Sequence, residues 1–503
     1  MTLSTAFRLR GIVVALLFAA TPQRHAAHAQ GPSGVAPPIA SPEPAASTGA
    51  FRHLRALQDI ASANGGNRAA GTPGYDRSAE YVAERLKAAG YLVRFEEFEF
   101  PFFEERAPPV LATSRPGGSL EPASAGTVRT LADSGSGDVT AHLWAVDLKL
   151  VATPPAASAS GCEAGDFRDF ERGAVALVRR GTCQFQVKVD NAVAAGAAGV
   201  IIMNEGTEGR VDAFSGRLNK PVAVPVVGVP FEFGKTLADQ TAGAATVRLV
   251  VDAVSGRRPS RNVVAETSAG SDESWIVAGA HLDSVPEGPG INDNGSGSAA
   301  VLEAALRLAP KATGAPAQRR HRMRFAFWGA EERGLVGSRH HVNALSEEER
   351  RRIALYINLD MVASRNFARY VQGPAATDDG PVTVARREFL AEFREHNLKI
   401  EERTGTGFGS DDSSFSQKNI PTMGLYTGAS GAKSEAQAGL FGGTAGQPFD
   451  SCYHRTCDTI DNIDRDVLEQ NTDALVRALD AVAVVARQAD APDQNAGGRA
   501  ERK

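Results

Sequence analysis

The stretch 278–300, AGAHLDSVPEGPGINDNGSGSAA, constrains this chain more than any other. A short apolar run of strand type, 275–280, leads into it, and residues with helical spacing, 298–308, follow it. A glycine-rich loop joining a strand to a helix belongs to an α/β sheet, where ligands collect beyond the carboxyl ends of the strands. This loop carries His281, Asp283 and Asp293 and no lysine or arginine. One imidazole and two uncompensated carboxylates make a site that attracts a divalent cation.

At 503 residues the chain predicts two domains plus tails. No basic stripe with interleaved aromatics is present, which argues against nucleic acid as a partner. Arg8 and Arg10 precede the apolar run 11–20, and Ala27-His28-Ala29 offers a small-residue cleavage site, so 1–29 reads as a signal peptide. The run is shorter than the ~20 apolar residues of a membrane span, and no other stretch is long enough. A secreted or periplasmic protein is expected. Its four cysteines then fit two disulfides, and pairing Cys162 with Cys183 and Cys452 with Cys457 is the simplest of three connectivities.

The Pro-, Ala- and Ser-rich segment to residue 50 predicts a flexible leader or propeptide (30–50), and 490–503 a disordered tail. Between them, a helix over 78–89 stopped by Gly90 precedes a strand over 92–100. Strand signals recur from about 261 to 280, at 323–328, 355–360 and 420–426, and a long closing helix spans 467–487. Strands alternating with helices predict an α/β fold, a mixed, mostly parallel sheet flanked by helices. The segment 126–254 interrupts this pattern with its own βαβ unit at 173–206 and a proline-bounded strand at 221–230. It reads as a smaller domain inserted between two parts of the first, 51–125 and 255–489.

Three further groups follow strands. Glu331 and Glu332 come after RMRFAFWGA, and Asp360 ends LYINLD; His454 lies in the tight Cys452–Cys457 loop. Paired zinc ions need a bridging carboxylate and terminal imidazole or carboxylate ligands, and a donor set without cysteine fits a catalytic site. Of two adjacent glutamates, one can ligate while the other moves a proton. His340 and His341 read as surface residues, and His53, His142, His321 and His396 have no ligand-like companion.

GAHLDSVPEGPGINDNGSGSAAVLE, FAFWGAEERGLVGS, INLDM, LYTGAS, GGTAGQPFDSCYHRTCDT and ANGGNRAAGTPGY resemble the secreted bacterial di-zinc aminopeptidases. Their wider zinc exopeptidase family also holds glutamate carboxypeptidases, glutaminyl cyclases and the transferrin receptor. The pattern GC…DF…ALVRRGTCQF…NA…AGAAGVII resembles a protease-associated domain. The resemblance implies that Asp293 bridges two Zn2+ ions, with His281 and Asp360 on one and Glu332 and His454 on the other. It implies Glu331 as general base, Tyr453 as hydrogen-bond donor to the developing oxyanion, Asp283 as acceptor behind His281, and a cis peptide at Asp293–Asn294.

One departure stands out: where such aminopeptidases have an arginine framing the substrate's amino end, this chain has Gly409, with Arg403 the nearest alternative. Some relatives bind calcium near the last helix, where this chain has Glu469 and Asp473. The activity implied is hydrolysis of the first peptide bond of peptides or protein N-termini with apolar first residues, by a monomer, with LYTGAS and GGTAGQ lining the side-chain pocket. A carboxypeptidase or dipeptidase on the same centre, a glutaminyl cyclase, and a receptor without catalysis are the alternatives.

Overall fold

In a computed structural model, residues 49–114, 118–150, 158–242, 245–268, 270–309, 320–375 and 380–485 are described. The expected signal peptide, nearly all of the leader and the tail lie outside them.

The strands Trp275–His281, Arg322–Trp328, Ile353–Leu359 and Thr422–Tyr426 run parallel, with Trp275–His281 between the second and third. Every residue of Trp275–His281 and Ile353–Leu359 is buried, as strands covered on both faces require. On one face Ile276, Phe325 and Ile357 share a core with Leu54, Val301, Phe389 and Leu475 from four helices. On the other face Val277, Ala326 and Tyr356 pack with Val342 and Phe415. The fold is thus the mixed, mostly parallel, helix-flanked sheet read from the sequence. Parallel neighbours put their carboxyl ends on one rim, and that rim carries His281, Glu331 and Asp360.

Helix Pro73–Ala88 starts earlier than its apolar spacing alone indicated. Thr72 caps it by accepting the Tyr75 N–H at 3.4 Å, and Pro73 occupies the first turn, where no partner is lost. The closing helix runs over Arg465–Val482, capped by Asp464.

The larger difference from expectation is the strand after residue 92, which continues to Ser114. It runs through Pro101, Pro108 and Pro109, which are tolerated because the strand lies at a sheet edge. This one pairs antiparallel with Thr246–Glu266 from Leu92↔Glu266 to Ser114↔Thr246, and the two form a ribbon reaching out of the main sheet.

The ribbon leads to the smaller unit. Its strands Val175–Arg179 and Gly199–Met203 pair in parallel around helix Phe185–Ala195, the βαβ unit expected. Gly199–Met203 pairs next with Val226–Val229. Leu177, Ile201, Val227 and Leu249 form one core, and Val178, Val189, Ile202 and Phe167 another. Cys162–Cys183 and Cys452–Cys457 are both disulfides, with Cα–Cα separations of 5.9 and 5.3 Å.

Within this unit Lys188 is buried and its Nζ donates to the Ser160 carbonyl at 2.6 Å. Burial pushes its pKa down from 10.5 to about 8. Between pH 8 and 10.5 the unfolded chain therefore binds more protons at this site, so its contribution to stability rises as pH rises through that window. In calorimetric melts from pH 7 to 10.5, Lys188→Met should lose this upward component relative to the parent.

Candidate metal centre

Each acidic or imidazole group of the rim is aimed by a constrained piece of backbone. His281 is the last residue of its strand. Asp293 lies in the turn Ile291–Ser296, and the Asp293–Asn294 peptide is cis, as the resemblance implied. The next helix begins at Gly297, where a Cβ would collide with the Leu359 carbonyl. Ala330 before Glu331, Met361 after Asp360, and His454 itself have φ of 55°, 52° and 57°. Left-handed backbone at non-glycine residues is costly and gathers where the surrounding structure dictates side-chain direction.

The sequence-derived residues converge. His281 Nε2 lies 3.4 Å from Asp293 Oδ1 and 3.5 Å from Asp360 Oδ1. His454 Nε2 lies 3.1 Å from Asp293 Oδ2 and 3.2 Å from Glu332 Oε2. Two triads result, His281–Asp293–Asp360 and Asp293–Glu332–His454, and they share Asp293, one oxygen toward each. Glu331 and Tyr453 line the adjoining cavity, with the Tyr453 ring stacked on His454 at 3.8 Å.

The electrostatics are those of crowded acids. Burial and then Asp293 push Glu332 up to about 7, and its buried Oε1 has no hydrogen-bond partner among the described residues. Burial raises Glu331 as well, aided by Asp411, Asp360 and Glu332. Hydrogen bonds to Asp293 and Glu332 push His454 up to about 10. Burial opposes ionisation of Asp293, yet His281 and His454 hold it down at about 2. Such a field draws in cations, and the donor set, with a bare oxygen on Glu332, fits two divalent ions of the zinc type.

Asp283 does more than the resemblance implied. His281 Nδ1 meets its backbone carbonyl at 3.1 Å and its carboxylate at 3.7 Å. The same carboxylate accepts the N–H groups of Glu331 at 3.1 Å and Glu332 at 3.3 Å, so it sets both glutamates.

Two supporting residues escaped sequence reasoning, although both lie within quoted motifs. Asp458 accepts the backbone N–H groups of Asn292 at 2.9 Å and Asp293 at 3.0 Å, tying the His454 loop to the bridging turn. Arg68 is wholly buried; its guanidinium donates to the carbonyls of Leu282, Pro289 (2.9 Å) and Gly290 (2.6 Å). Removing it strands the buried carbonyls of Leu282 and Pro289, while that of Gly290 keeps the Gly295 N–H at 2.9 Å. Arg68→Met should destabilise the protein by about 3–5 kcal/mol, read from urea unfolding.

Expectations at His341 and GGTAGQ change. His340 is exposed, but His341 is buried, because Glu96 from the ribbon accepts its Nδ1 at 2.8 Å and Trp328 packs on its ring. GGTAGQ does not line the cavity; Asn366 holds it through the carbonyls of Thr444 and Gln447. From LYTGAS, Tyr426 and Ala429 do line it. Arg403 lines it too, its guanidinium 3.9 Å over the Tyr370 ring. Glu469 accepts the Phe51 N–H at 3.2 Å, and Asp473 pairs with Arg307 at 2.6 Å.

The model of peptidase family M28 matches residues 262–479, and that of the PA domain matches 146–237. An aminopeptidase of Pseudomonas aeruginosa is 42% identical over 457 residues, covering 88% of this chain and 82% of the relative. The chain belongs to peptidase family M28. This M28 peptidase is also 40% identical to a probable lipoprotein aminopeptidase of Mycobacterium tuberculosis, over 83% of this chain and 81% of that one. Among solved structures it resembles the aminopeptidase of Aneurinibacillus sp. strain AM-1, with a TM-score of 0.61 and 25% identity, covering 88% and 95% of the two chains. A zinc aminopeptidase from Bacillus subtilis aligns with a TM-score of 0.57 and 25% identity, covering 86% and 94%. The inserted domain of this M28 peptidase is therefore a PA domain, and the chain is an enzyme acting on peptide bonds.

Proposed function

We propose that this protein is an exported, monomeric aminopeptidase that removes apolar first residues from peptides and depends on two zinc ions. His281, Asp293 and Asp360 would hold one ion, and Asp293, Glu332 and His454 the other. The observation that carries the reading is Asp293 shared by two triads, beside a glutamate that belongs to neither. When bound, the ions supply Lewis acidity toward the scissile carbonyl and make water acidic near neutral pH.

The residues of the chain do the rest. One Glu331 carboxylate oxygen accepts a proton from the attacking water and later delivers it to the nitrogen of the departing amine. Burial and neighbouring acids already raise its proton affinity, which suits a group that must hold that proton between steps. The Tyr453 phenol donates a hydrogen bond to the carbonyl oxygen as negative charge gathers there. Asp283 keeps Glu331 and Glu332 in place through their amides. The cavity beside the triads, ≈ 230 Å³, suits one residue rather than a chain, and Glu331, Asp360 and Asp412 in its lining favour a free ammonium group. Two disulfides support export to a secreted or periplasmic location.

Arg403 favours a second reading, a carboxypeptidase or dipeptidase, because it places one cation in an otherwise acidic cavity. Peptides blocked at either end separate the two. An aminopeptidase cleaves a C-terminal amide and spares the N-acetylated peptide; the reverse outcome would establish the second reading.

A further inference from the structure

A second cavity, ≈ 800 Å³, adjoins the metal centre and shares Glu332 and His454 with the first. One wall is the loop at Val285 and Pro286; the other is the ribbon at Phe102–Glu105. Successive side chains of a strand point to opposite faces. Four consecutive residues can line one cavity only if the strand presents its edge.

That edge is unpaired there. Among the described residues, Leu92–Ser114 pairs with Thr246–Glu266 on one side and with Glu121–Pro122 only at Ala112 and Thr113. The prolines show which backbone groups face outward. Pro259 stands opposite Glu99, and Pro101 opposite Arg257. Proline has no N–H, so both occupy pairs that exchange no ladder hydrogen bonds, and such pairs recur at every second residue. The Glu99 carbonyl agrees: it faces away from the ladder and accepts from Arg257 Nη2 at 3.0 Å. The same parity makes Phe103↔Ser255 an unbonded pair, which turns the Phe103 N–H and C=O toward the cavity. Among the described residues, neither group has a hydrogen-bond partner outside the ladder.

We infer that the part of the substrate beyond the scissile bond lies extended along this edge and pairs with Phe103 as an added strand. The inference rests on the aminopeptidase reading and adds its substrate class: unfolded peptides of several residues rather than dipeptides or single-residue amides. Continuity of the two cavities at Glu332 and His454 fixes the occupant. A peptide whose first residue fills the smaller cavity has its next residues directed into the larger one. Main-chain pairing gives affinity without selecting sequence, so length, not composition, governs the gain.

The test uses the metal-loaded parent enzyme with leucyl p-nitroanilide, Leu-Ala-Ala-Ala-Ala, and pentapeptides N-methylated singly at the third, fourth or fifth residue. The pentapeptide should exceed the anilide in kcat/KM by about 10-fold, and one N-methyl position should cost about 5- to 10-fold while its neighbour costs little, as one lost hydrogen bond predicts. In Phe103→Pro, compatible with the ladder because Pro101 has the same parity, the pentapeptide-to-anilide ratio should fall by a similar factor; Phe103→Ala should keep it. Equal constants across the N-methyl series, or an unchanged ratio in a folded Phe103→Pro, would overturn the inference while leaving the aminopeptidase reading intact. Cleavage of neither substrate would overturn that reading, and the inference with it.

Discussion

Glu331→Gln should lower kcat on a leucyl peptide by about 1,000-fold, within the usual contribution of a positioned acid–base group. The substitution keeps size and removes the ability to accept and return a proton. Glu331 belongs to neither triad, so zinc content by mass spectrometry should stay at the parental value. The amides of Glu331 and Glu332 remain available to Asp283, so the thermal midpoint should hardly move. A variant retaining full turnover would show that another group carries the proton. A variant losing metal along with activity would place Glu331 among the ligands.

Asp293→Ala should act differently, and on both ions at once. Its two oxygens face His281 on one side and His454 on the other, so no remaining residue can serve both triads. Activity should fall by at least about 1,000-fold, the loss that several kcal/mol of charge stabilisation represents. Bound zinc should drop from two ions per chain, and the stabilisation that zinc confers on the parent should disappear from thermal melts. Dialysis of the parent against a chelator should reproduce the loss, with recovery on adding zinc; Asp293→Ala should not recover. Retention of two ions by the variant would sink the bridging assignment.

The residues of the two triads were legible because each sits at a strand end or beside a turn, where local pattern betrays position. His281, Glu331 and Asp360 follow apolar runs, and parallel pairing brings such ends together. Arg68 and Asp458 were not legible for a complementary reason. Their partners are main-chain carbonyls and amides, which every residue has, so nothing in the sequence marks the match. The ribbon was read only to residue 100, because nothing local marks the partner strand that carries it on to Ser114. His341 was misplaced because the polar run around it looks like a solvated helix face, and the Glu96 that buries it lies 245 residues away. The convergence of the candidate residues was therefore easier to read than the structure holding them.

The Asp458 contact also sets a calendar for the enzyme's birth. Asn292 and Asp293 emerge from the ribosome long before the residue that fastens their amides, and His454 arrives only just ahead of it. Until then the nascent chain possesses one complete triad at most and lacks the clasp on its central acid. One late loop thus supplies both the imidazole of the second triad and the acceptor that fastens the Asp293 amide, so this arrangement cannot be whole before that loop docks.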